Sequence, residues 1–77
     1  MLKQSPNNRK RAEWASRALK EYALNVSSLN DFELEPETTV SDLLADIRHF
    51  CDSKEIDFDD ALAQAKRHYG AEMMGDD

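Results

Sequence analysis

Residues 40–69, VSDLLADIRHFCDSKEIDFDDALAQAKRHY, carry two helical apolar stripes separated by a short polar connector. At about 100° per residue, Val40, Leu43, Leu44, Ile47, Phe50 and Cys51 share one arc, and Asp42, Asp46, Arg48 and Asp52 fall outside it. Thr38 or Thr39 is suited to cap this helix, with Ser41 and Asp42 in a first turn where the helix dipole favours negative charge. The arc predicts a core face, on which Leu44→Ala or Ile47→Ala costs about 2–5 kcal/mol. After the connector Ser53-Lys54-Glu55-Ile56, Asp57 supplies a second N-cap, with Asp60 at the N3 position of a capping-box-like arrangement. Phe58, Ala61, Leu62, Ala65 and Tyr69 continue as a stripe, and Met73 extends it past Gly70 to about Met74. So short a connector makes the two helices antiparallel neighbours or a steeply crossed pair.

Upstream, Ala12, Ala15, Ala18, Leu19, Tyr22, Ala23 and Val26 define a third, Ala-rich stripe, with Asn7 or Asn8 able to cap it. Trp14 at its edge is expected to lid the core. Between the helices, Asp31-Phe32-Glu33-Leu34-Glu35 alternates with period two and Pro36 follows, which predicts an extended acidic loop over 27–39, pinned by Phe32 and Leu34. Its other reading is a recognition peptide that docks on a partner's sheet edge. The expected architecture is an all-α, three-helix domain (9–26, 40–53, 58–74), with residues 1–8 a flexible lead-in and 9–77 a single domain.

A chain of 77 residues builds a small core, worth only a few kcal/mol beyond the entropy of folding, so a partner or a second copy would help it. The net charge of −6 conceals a polarity: residues 1–20 carry six basic side chains against one acidic, and the remainder four against fifteen. A basic arm either folds back on the acidic body, or two surfaces of opposite sign face different partners. The single cysteine precludes an internal disulfide and a Cys-rich metal site, and points to a reducing compartment. With neither a signal-peptide pattern nor an apolar run near the roughly 18 residues of a membrane span, the expected location is the cytoplasm, away from membranes.

Specific chemistries fare poorly. In a DNA-reading helix pair the N-terminal turn of the second helix meets phosphates, and here that turn carries Asp57, Asp59 and Asp60. Arg9, Lys10 and Arg11 beside Trp14 are the better phosphate-binding candidates. Asp57-Phe58-Asp59-Asp60 lacks the Gly and the twelfth-position Glu of a calcium loop, and Ala61 stands where an oxygen ligand belongs. His49 and Cys51, two apart, point about 200° away from each other on a helix and do not chelate together. His68 borders the Phe58–Tyr69 stripe as a rim residue. No His-Glu-x-x-His or Gly-rich phosphate loop is present, so neither catalysis nor a cofactor is expected.

The segment 42–69, with its Asp-Leu-Leu-x-Asp, Asp-Phe-Asp-x-Ala-Leu and His-Tyr elements, resembles short uncharacterised helical proteins of bacteria, phages and other mobile elements. The shared positions are core and cap positions, so the resemblance implies a fold, and a mobile-element origin implies a protein that blocks a host system. The expected function is a small acidic protein-binding adaptor or inhibitor. Its Asp42, Asp46, Asp52, Asp57, Asp59 and Asp60 would face a basic partner, with Trp14, Phe32 or Met73 as apolar anchors. The alternatives are a nucleic-acid accessory protein that uses its basic arm and a purely structural homodimer.

Overall fold

The computed structural model describes residues 6–75 as four helices with no strand among them: α1 (Pro6–Val26), α2 (Leu29–Leu34), α3 (Pro36–Ser53) and α4 (Phe58–Met73). The all-helical expectation holds at that level, while the helix count and the extended loop do not. Part of the expected lead-in, Pro6 to Asn8, already belongs to α1; residues 1–5 lie outside the described residues.

The segment expected to be a loop is helical because Ser28 and Pro36 each start a helix within it. The Ser28 side chain accepts a hydrogen bond from the Asp31 amide at 3.1 Å, satisfying one of the amides that a helix start leaves open. The alternation of Phe32 and Leu34 is not a strand. On a helix, positions two apart diverge by about 200°, and accordingly Phe32 is half-buried while Leu34 is exposed and pins nothing. Pro36 starts a helix where a stop was expected. Proline drives the residue before it out of helical geometry, so Glu35 takes φ −137° and ψ 66° and breaks the chain for one residue. Pro36 itself then occupies the first helical position, where its missing N–H costs nothing. Thr38 and Thr39 therefore sit inside α3 and do not cap it, and Thr39 is buried.

The helices form a thin three-sided frame, 35 × 32 × 18 Å. At one corner α1 meets α2 and α3 around the fully buried Ala23, which has no side chain beyond Cβ to hold the helices apart. There the Tyr22 hydroxyl donates to Asp46 Oδ2 of α3 at 2.6 Å. At the second corner α3 ends with the Ile56 amide bonded to the Cys51 carbonyl (2.8 Å) and the Glu55 amide to that of Asp52 (3.3 Å), a Schellman closure. Its left-handed position is held by Glu55, at φ 58°, where glycine is the usual occupant. Asp57 then caps α4, accepting from the Asp60 amide at 2.9 Å. The third corner joins the end of α4 to the start of α1: Asn8 donates through Nδ2 to the Glu72 carbonyl (3.1 Å), and Arg11 pairs with Glu72 at 3.1 Å. Helix α4 passes unbroken through Gly70 and stops before Gly75, whose φ of 98° suits only glycine.

This frame has almost no apolar interior: Ala23 and Cys51 are the buried hydrophobic side chains among the described residues. Its radius of gyration, 14.0 Å, exceeds the roughly 11.5 Å expected of a compact domain of this length. The expected α3 core face holds only at Cys51, which is buried, and at Leu43, which is half-buried. Val40, Leu44 and Ile47 are 41%, 46% and 38% exposed, and Phe50 is exposed too. What meets the first corner is the line of Thr39, Leu43 and Asp46, buried, half-buried and bonded respectively. The Val40–Leu44–Ile47 arc lies about 100° around the helix from that line. On α1 likewise, Leu19, Tyr22 and Ala23 turn inward, whereas Ala12, Ala15, Ala18 and Val26 stay exposed. Among the described residues no helix is long and apolar enough to cross a membrane.

Candidate functional site

The carboxylates proposed from the sequence fall into two groups. Asp42 and Asp46 lie one turn apart on α3 beside Tyr22. Asp46 is occupied by the Tyr22 hydroxyl, and that hydrogen bond, aided by desolvation and by the nearby Asp46 and Asp42 charges, pushes the phenol up to about 12. The bond stabilises the neutral phenol while the two carboxylates repel a phenolate. At the α3–α4 corner, Asp57 is spent on its cap, and Asp60 Oδ2 accepts from the Gln64 side chain at 3.4 Å. Asp52 and Asp59 are exposed and their side chains take no hydrogen bond or ion pair among the described residues.

The apolar anchors separate as well. Trp14, expected to lid the core, is instead 59% exposed on α1, one turn from Lys10 and from Arg17. Phe32 is half-buried. Met73 is half-buried in the third corner, where its sulfur receives the Asn8 Nδ2–H at 3.7 Å; it serves the frame and is poorly placed to anchor a partner. Of the basic residues, Arg11 is drawn onto the acidic body, bonded to Glu72 and donating to Asn8 Oδ1 at 2.9 Å. Lys10 is exposed, as is Arg9, which has contacts of its own.

Two open grooves occur at the corners. One, of about 210 Å³, is lined by Asn8, Arg11, Ala12, Tyr69, Glu72 and Met73. The other, of about 340 Å³, is lined by Leu44, Ala45, Arg48, Phe58 and Leu62. In the second groove the Arg48 guanidinium lies over the Phe58 ring, 5.6 Å from its centroid, a cation–π contact. The second groove holds neither a nucleophile nor a base, and in the first the Glu72 carboxylate is engaged by Arg11. Among the described residues no three His, Cys, Asp or Glu side chains converge as a metal site; His49 and His68 are exposed and Cys51 is buried.

Residues that the sequence did not single out as functional organise these surfaces: Tyr22, Asn8, Glu72 and Arg48. Each acts on a residue far along the chain or on a different helix, so periodicity carries no trace of it. The one sequence-local hint was the three-residue spacing of Asn8 and Arg11, which places them on one face of α1. Comparison with protein-family models, with curated proteins and with solved structures finds no match.

Proposed function

We propose that this chain is a small acidic, non-catalytic adaptor or inhibitor that presents carboxylates to a basic surface of a partner protein inside the cell. The observation that carries the proposal is the uncommitted state of Asp52 and Asp59, exposed on either side of the α3–α4 corner in a chain of net charge −6. Complementary potentials of this kind steer association and select partners more than they add affinity. If the partner is a nucleic-acid-binding machine, the acidic side occupies its phosphate channel, in keeping with a mobile-element protein that blocks a host system. The test is affinity purification from the host with the Asp52→Lys/Asp59→Lys pair beside Lys10→Ala/Arg17→Ala. Loss of the captured protein with the first pair and retention with the second supports the reading, and the reverse pattern refutes it.

A second reading has one observation in its favour: Trp14 is exposed with Lys10 and Arg17 one turn to either side. An aromatic face between cations is the arrangement that stacks a base while neutralising phosphate. A salt-sensitive gel shift abolished by Trp14→Ala would favour this nucleic-acid role over the adaptor.

A further inference from the structure

Apolar side chains on α3 and on the first half of α4 remain exposed on the folded chain. Val40, Leu44 and Ile47 follow one another at helical spacing on α3, and Leu44 also lines the groove shared with Phe58 and Leu62. On α4, Phe58 is held at the second corner and Met73 at the third, while Leu62 between them is 39% exposed. We propose that a second copy of this chain covers this face, so that the folded unit is a homodimer with the α3–α4 apolar surfaces apposed.

Area is the first argument. A folded monomer of 8.8 kDa is expected to expose about 4,800 Å², whereas this chain exposes 6230 Å². The surplus is on the order of 1,400 Å², and even half of it approaches the roughly 800 Å² that each partner contributes to a standard stable interface. The second argument is constancy. With Ala23 and Cys51 as the buried hydrophobic side chains, the chain needs its cover whenever it is folded, and the one protein always present with it is itself. Charge supplies the third. The charged residue lining the groove is Arg48, a cation that disfavours a basic partner there. The apolar face would thus serve self-association, leaving Asp52 and Asp59 for a basic partner; the two proposals stand independently.

Sedimentation equilibrium of the full chain from micromolar to millimolar concentration, with thermal melts over the same range, tests the dimer. The expected result is a mass twice that of the chain and a melting temperature that rises with concentration. Leu44→Glu should weaken association at least about tenfold, and Trp14→Glu on α1 should leave it unchanged. Should Leu44→Glu fail to fold, the concentration dependence of the wild-type melt still decides. Salt separates this proposal from the adaptor: two chains of like net charge associate more tightly as salt rises, while binding to a basic partner weakens. A monomeric mass with a concentration-independent melt overturns the dimer. So does association that Trp14→Glu abolishes and Leu44→Glu spares, or a chain that folds only when a different protein is added.

Discussion

The Tyr22 hydroxyl of α1 and the Asp46 carboxylate of α3 share a 2.6 Å hydrogen bond, the side-chain tie between the two longest helices. Folding raises the phenol from 10.0 to about 12, chiefly through this bond. Stability linked to a raised pKa is fully present below the unfolded value and is lost as pH climbs through the folded one, here between about 10 and about 12. A titration of phenolate absorbance, with Tyr22→Phe subtracted, should show a transition near about 12, and Asp46→Asn should shift it to lower pH.

Ala23 is fully buried where α1, α2 and α3 approach, so added side-chain volume there forces the helices apart. Ala23→Leu should cost about 1–3 kcal/mol or more. Ala15→Leu, on an exposed stretch of the same helix, should change stability by about 0.5 kcal/mol or less. Urea midpoints at matched protein concentration distinguish the two.

The α3–α4 corner contains one strained and one optimised residue, separated by Ile56. Glu55 is left-handed at φ 58°, and Glu55→Gly should raise stability by about 0.5–1 kcal/mol after allowance for the greater freedom of glycine in the unfolded chain. Asp57→Ala removes the cap on the Asp60 amide and should lower stability by about 1 kcal/mol, while Asp57→Asn should be nearly neutral. Opposite shifts of the urea midpoint at unchanged slope are expected.

At the third corner, burial separates two neighbouring contacts. Asn8 is buried and bonded to the Glu72 carbonyl, so Asn8→Ala should cost about 1–3 kcal/mol. The Arg11–Glu72 ion pair has side chains that are 35% and 29% exposed, and Arg11→Gln should cost less than about 1 kcal/mol. Amide exchange near the end of α4 should quicken strongly in the first variant and slightly in the second.

What the sequence made legible was local: the Asp57 cap, the continuation of α4 through Gly70 and the helical character of α1 and α3 all follow from residues a few positions apart. The α2 helix was missed because a period-two pattern over five residues also fits a short helix that turns only Phe32 inward, and because proline ends one helix as readily as it starts the next. Which face of α3 is covered depends on a rotation of about 100°, and Thr39, a polar residue, marks the covered line while Leu44 and Ile47 do not. Trp14 was misplaced for the same reason, since proximity to a stripe does not show that anything packs over it. At the candidate site, the acidic residues were visible as composition, but their division into committed Asp46 and Asp57 and uncommitted Asp52 and Asp59 required partners from elsewhere in the chain.

Cys51 sits in the last turn of α3, its thiol buried and its carbonyl holding the Ile56 amide. A thiol-specific dye can reach it only while its surroundings open, so the labelling rate clocks that opening. As the molecule's single cysteine, it gives this end of α3 a chemical stopwatch that needs no engineering.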